Sequence, residues 1–135
     1  MGCVLRVYGE HLDIGQLLSN VNLIAVAAWK RGQERISKGR FHADSGAHFV
    51  ASHADVEDFP RVIAETELFL AGNYDDLYKL TSAPGVTRAV LDFAVATRPG
   101  FVIQTSNFSM TFLQLMAQLN LALSVSHYPT DDTSE

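Results

Sequence analysis

The stretch FVIQTSNFSMTFLQLMAQLNLALSVSHY, residues 101–128, decides the fold class. Phe101, Ile103 and Thr105 alternate with Val102 and Gln104, the two-residue period of a half-buried strand. Ser109 is placed as a helix N-cap, its hydroxyl able to accept from a free amide of the first turn. Phe108 and Leu113 flank it as a hydrophobic staple. Met110, Leu113, Met116 and Ala117 recur at helical spacing and form the expected buried stripe. From Leu119 alternation returns, with Leu119, Leu121, Leu123 and Val125 set against Asn120, Ala122, Ser124 and Ser126, so a second strand closes the unit.

A fainter copy opens the chain. Laid over the first without gaps, it puts Leu5 on Phe101, Asp13 on Ser109, Leu17 on Leu113 and Leu23 on Leu119. The match is in pattern and not in identity: Asp13 is the N-cap, Gln16 its capping-box partner, Leu12 and Leu17 the staple. Two readings stay open, a pseudo-duplicated sheet and two unrelated strand-helix-strand units of an ordinary α+β domain. Either way the expected fold is α+β, a mainly antiparallel sheet with its helices largely on one face.

Between these units, residues 23–29 are expected as a strand, with Leu23, Ala25, Ala27 and Trp29 in one phase and a helix as the alternative that their alanines favour, and residues 47–52 as another strand. Asp58 caps a long helix whose Pro60 falls in the first turn, where a missing amide does no harm. Gly72 ends it at the position a left-handed C-cap favours, and Asn73 restarts a shorter helix closed by Ala83-Pro84-Gly85. Residues 87–97 form the clearest strand. Arg98-Pro99-Gly100-Phe101 has the proline and glycine of a type II turn, so a hairpin into residues 101–105 is expected.

The 135 residues, 47% of them hydrophobic, suffice for one core, and residues 1–128 read as a single domain. Residues 129–135 are acidic, lack apolar anchors and are expected to be disordered. The lone Cys3 has no disulfide partner in the chain and falls in phase with Leu5 and Val7 as a buried small residue. Every apolar run is broken well short of the roughly 20 residues a membrane span needs, so a cytoplasmic protein without a membrane partner is expected.

The formal net charge of -5 is unevenly spread. Lys30, Arg31, Arg35, Lys38 and Arg40, with Glu34, make residues 30–40 +4, which leaves -9 on the remainder. Such a balance repels bulk nucleic acid but offers one anion-facing loop, and a loop this long inside a compact domain carries function or moves. Part of it, residues 40–43, could pair as a short strand. Trp29 stands where the apolar run meets this loop, either in the core or beside a recognition surface with Lys30 and Arg31. His42, Asp44, His48 and His53 fall close together and offer imidazole and carboxylate as candidate metal ligands, but their spacing fits no ligand motif. Serine, histidine and aspartate at residues 52–55 are neighbours on one segment and cannot converge as a triad does. No catalytic residue and no cofactor is assigned.

Trp29-Lys30-Arg31-Gly32, Leu12-Asp13, the Phe49-Val50-Ala51-Ser52 strand and the acidic entry to the long helix resemble a family of small bacterial domains of unknown function. Some of its members look like immunity proteins that neutralise a neighbour's secreted toxin. The resemblance implies a cytoplasmic protein-binding module. Where such relatives carry a second Trp in the third strand, this chain has Phe49, which keeps an aromatic for the core but not an indole for recognition. The expected activity is therefore binding without catalysis, with a basic, toxin-like protein as partner and a second copy of the chain as a further possible one. The alternative is an anion- or small-molecule-binding module, or an enzyme, that uses the loop from Lys30 to Arg40.

Overall fold

The computed structural model describes residues 1–130. Its elements run β1 (Cys3–Gly9), α1 (Ile14–Ser19), β2 (Ala27–Trp29), β3 (Ser45–Ser52), α2 (Phe59–Gly72), α3 (Tyr74–Ser82), β4 (Arg88–Thr97), α4 (Met110–Gln118) and β5 (Ala122–Pro129). The five strands form one sheet in the order β2-β3-β1-β4-β5. All neighbours are antiparallel except β4 and β5. The fold is α+β, and among the described residues no helix is long and apolar enough to cross a membrane.

Alternation builds the two faces of this sheet. Cys3, Leu5 and Val7 of β1, Ala47, Phe49 and Ala51 of β3, and Ala89, Leu91, Phe93 and Val95 of β4 are buried on one face. Against them pack Ile14 and Leu17 of α1, Phe59, Val62 and Leu70 of α2, Leu77 and Leu80 of α3, and Phe112 and Met116 of α4. Phe93 is the hub, with its ring centroid 5.7 Å from Phe59, 5.4 Å from Phe108 and 6.0 Å from Phe112. Among the described residues the opposite face carries no helix.

Local signals set most helix starts. Asp13 accepts from the Gln16 amide at 3.1 Å, Asp58 from the Arg61 amide at 3.4 Å, and Ser109 from the Phe112 amide at 3.0 Å. The end of α2 differs from the expected left-handed glycine. Gly72 is its last residue, and Asn73 caps the helix at φ -121° while its side-chain amide donates to the Phe69 carbonyl at 2.9 Å. The polypeptide passes straight into α3, and no left-handed stop is used.

The 101–128 stretch departs most from its pattern. Residues 101–105 form no strand; they are an exposed loop, with Val102 98% accessible. The turn before it does form, with Gly100 at φ +82°, the value its position in a type II turn requires. No hairpin follows, because both edges of β4 are taken, by β1 and by β5. A parallel β4–β5 pair also needs a crossover of a dozen or more residues, which residues 98–121 supply. The strand that feeds α4 is therefore β4, and the overlay of residue 5 on residue 101 fails. In the first unit β2 pairs with β3 and not with β1, so the two units are not copies.

The stripe of α4 is also rotated. Phe112, Met116 and Leu119 are buried, while Met110 is 77% and Leu113 47% exposed. The staple is replaced by Phe108 packed on Phe112, centroids 5.5 Å apart. The helix ends at Gln118. Just beyond it Asn120 takes φ +54°, the Asn120 amide donates to Ala117 and the Leu121 amide donates to Met116. This closed turn starts β5 at Ala122 rather than at Leu119. The strand then runs through Pro129, beyond the expected boundary at 128. The expected tail at 129–135 lies, from 131 on, outside the described residues.

Candidate functional site

The helix-free face is built in rows across the sheet. Register places Trp29 beside Gly46, Gly46 beside Tyr8, His48 beside Arg6, and Val4 beside Asp92. Phase along each strand sends these side chains to the same side, opposite Leu5, Val7 and Phe49. The core position open to Trp29 from the sequence is not taken: the residue is half-buried on the open face and outside the core cluster. The strand itself is only Ala27–Trp29, shorter than the expected 23–29.

Four rings gather there. The Trp29 indole is stacked on His42 at 5.0 Å with 19° between planes and meets His48 edge-on at 4.8 Å. Tyr8 lies 6.1 Å from Trp29 and 6.4 Å from His48. Offset and edge-on arrangements of this kind add about 0.5–1.5 kcal/mol per pair beyond area burial. His42 comes from the long loop and His48 from β3, and the β2–β3 pairing brings both to one indole.

A polar network continues across β1 and β4. Arg6 Nε donates to Asp92 Oδ2 at 3.2 Å, and the Ser126 hydroxyl donates to Asp92 Oδ1 at 3.0 Å. Arg6 Nη1 stands 3.0 Å from His48 Nε2. A guanidinium can only donate, so this contact requires an unprotonated ring nitrogen. Burial, and then the Arg6 charge, lower the His48 pKa from its ordinary 6.5, with Asp92 opposing. Each carboxylate oxygen of Asp92 and the facing edge of His48 are already engaged, which makes the network a fixed electrostatic floor rather than a set of free acids and bases.

The basic loop folds as a finger. Glu34 bridges Phe41 in an antiparallel sense, the Arg35 amide donates to the Arg40 carbonyl at 2.7 Å, and the His42 amide donates to Gln33 at 2.9 Å. Gly39 turns the tip at φ +82°, and the Glu34 carboxylate accepts its amide at 3.1 Å. At the base, the Arg31 amide donates to the buried Ser45 hydroxyl at 2.9 Å, and its guanidinium meets Glu10 at 3.3 Å. Arg35, Lys38 and Arg40 are exposed at the outer end with Ile36 and Phe41. A groove of about 480 Å³ runs between finger and sheet, lined by Trp29, Gln33, Arg35, Ile36, His42 and His48 among others.

The candidate residues therefore separate. Trp29, His42, His48 and Arg35 share the groove; Lys30 and Arg31 stand at the base of the finger, Lys38 and Arg40 at its tip. His53 follows β3 at its far end and joins neither. Among the described residues no group of three or more His, Cys, Asp or Glu is arranged to hold a metal ion. Ser52 is occupied elsewhere, its hydroxyl donating to Glu65 at 2.9 Å and accepting from the Ala54 amide at 3.1 Å. Tyr8, Arg6 and Asp92 belong to no motif, although each is a polar residue alternating with buried apolar ones in its strand. That phase is the one signal of them in the sequence. Comparison with family models, with curated proteins and with solved structures gives no match.

Proposed function

We propose that this chain is a non-catalytic protein-binding module of the immunity-like kind, acting in the cytoplasm on a basic protein partner. The observation that carries the reading is the helix-free sheet face with its half-buried Trp29, Tyr8, His42 and His48 cluster. A rigid aromatic patch with polar neighbours satisfied among themselves supplies contact area at low ordering cost, the composition of an interface hot spot. The -9 body attracts a cationic partner at long range, an arrangement that speeds association more than it deepens affinity.

The test is capture from the source cell at low and moderate salt by the wild-type chain and by Trp29→Ala. One basic protein retained by the first and lost by the second, with both baits equally folded, supports the reading. Capture of nothing, or capture indifferent to Trp29, sinks it.

The groove beside Trp29 favours one other reading, an anion- or small-molecule-binding site, because Arg35 and a stacked indole-imidazole pair line it. Phosphate-rich ligands then raise the Tm, since a ligand selective for the folded state must stabilise it. Neutralising Arg31, Arg35 and Arg40 together abolishes that rise if this reading holds.

A further inference from the structure

We infer that the chain forms a two-fold dimer through the outer edge of β5, the partner being a second copy of itself. The sheet has two edges, and they are treated in opposite ways. At one, β2 is three residues long and is continued by the cationic finger, with Lys30 and Arg31 beside it. Short strands and charge are how folded proteins keep an edge from pairing. At the other, β5 has eight residues, ALSVSHYP, bonded among the described residues to β4 on one side only. It carries no Lys, Arg, Asp or Glu, and its proline comes last, where it guards nothing.

The neutrality extends well before the strand, and Asp131 and Asp132 follow it only after Thr130. From Pro99 to Thr130 no residue is formally charged, in a chain with 25 charged residues elsewhere. Two copies of net charge -5 repel one another at long range, so a mutual contact belongs on the face that adds nothing to that repulsion. This stretch holds the whole β5 edge and all of α4.

Topology puts the apolar residues of α4 beside that edge. A parallel strand-helix-strand connection is right-handed with very few exceptions, and this hand sets α4 above β4 and β5 with the Leu113 flank on the outer side. The burial agrees: Leu115, on the opposite flank, is partly buried against the core, whereas Leu113 is exposed. Leu123, on the helix side of β5 in register with Leu91, is 40% exposed below it. Antiparallel pairing of two β5 strands joins the sheets into one of ten strands and brings the two α4 helices together over the seam. A strip about 27 Å long and about 20 Å deep, one sheet layer plus one helix layer, covers on the order of 540 Å² per copy as a flat area. Side-chain relief adds to it and brings the contact towards the roughly 800 Å² per partner of a standard interface.

The experiment is sedimentation and light scattering of the full chain over a hundredfold concentration range, with amide exchange read along β5. The expected mass is twice 14.8 kDa, falling on dilution. Consecutive β5 amides are protected in the dimer, whereas only alternate ones, those facing β4, are protected in the monomer. Leu113→Glu and Leu123→Lys, both at exposed positions, each return the mass to 14.8 kDa with unchanged far-UV circular dichroism. A wild-type chain of 14.8 kDa at every concentration overturns the inference, as does a dimer that both variants leave intact. A different protein occupying the β5 edge at equal stoichiometry overturns it too. Because Trp29 lies at the opposite edge, loss of dimerisation and loss of partner capture are separable failures.

Discussion

Gly46 lies directly beneath the indole of Trp29. A Cβ built on it would stand 2.6 Å from Cζ2 of Trp29 and 2.7 Å from the Val7 carbonyl oxygen. The glycine is thus a matter of room rather than of backbone freedom, since its φ is not in the left-handed region. It gives the ring room to approach the strand and reach His48. Gly46→Ala is expected to lift the ring and strain the β1–β3 seam, at a cost of about 1–3 kcal/mol as for other overpacked sites. Trp29 is the only tryptophan, so its fluorescence reports the displacement as a red shift, and urea unfolding gives the cost. An unshifted spectrum would show that the indole does not rest there.

The hub of the core is Phe93, and the exposed side of α4 is not part of it. Phe93→Ala should cost about 3–5 kcal/mol, a large fraction of the roughly 5–15 kcal/mol that holds a domain of this size together. Met110→Ala should stay within about 0.5 kcal/mol. The urea midpoint of Met110→Ala, with Phe93→Ala as the reference for a core loss, decides whether that face of α4 is inside. Similar losses would restore the stripe of Met110 and Leu113 that spacing alone suggests.

His48 makes the fold sensitive to acid. Its pKa in the folded state lies below the ordinary 6.5, so as pH falls below 6.5 the unfolded chain takes up the proton first and stability declines. The contribution is intact above 6.5 and is lost on the way down towards the folded-state pKa. Protonation also ends the acceptance of the Arg6 N–H. Wild type is therefore expected to lose more Tm than His48→Asn between about pH 8 and pH 5, with the difference opening below about 6.5. Parallel melting curves across that window would remove the Arg6–His48 contact from the account.

A second acid-sensitive window sits lower. Glu65 accepts from the Ser52 hydroxyl at 2.9 Å and from Arg61 Nε at 3.2 Å, and the Ser52 bond first lowers its pKa from 4.5. Its support is present above 4.5 and goes as pH falls through the folded-state value. Ser52→Ala should flatten this limb of the Tm profile and leave the limb above about pH 5 unchanged.

Burial pushes the Cys3 thiol up to about 12, against a lowering contribution from its contact with Thr66. At neutral pH it is a protonated small residue in the sheet and not a nucleophile. Native protein should therefore react with thiol reagents only through global opening, and at the ordinary rate once unfolded in urea. Fast labelling of the folded chain would place Cys3 outside the core.

Elements governed by neighbours within about four residues are legible in the sequence. Asp13, Asp58 and Ser109 cap their helices, Pro60 enters α2 in its first turn, and the strands expected at residues 3–8, 47–52 and 87–97 run over 3–9, 45–52 and 88–97. The outward phase of His48 also follows from alternation alone. The site is legible only in part: Trp29 and the basic residues stand out by type and clustering, but Tyr8, Arg6 and Asp92 become partners through register between strands 42 to 86 positions apart.

Capped helices, alternating strands and one cationic loop are written in the order of residues, since turns, caps and side-chain phase are short-range properties of the chain. Tertiary packing leaves residues 101–105, as strand-like as β5, in a loop, because the sheet had no free edge beside β4 to pair them. It likewise decided that α4 buries Phe112 rather than Leu113, because a helix apolar around most of its circumference is turned by the aromatic ring that Phe93 can accept. Strand propensity and helical spacing state what a segment can bury, and the space left by the other segments selects what it does bury.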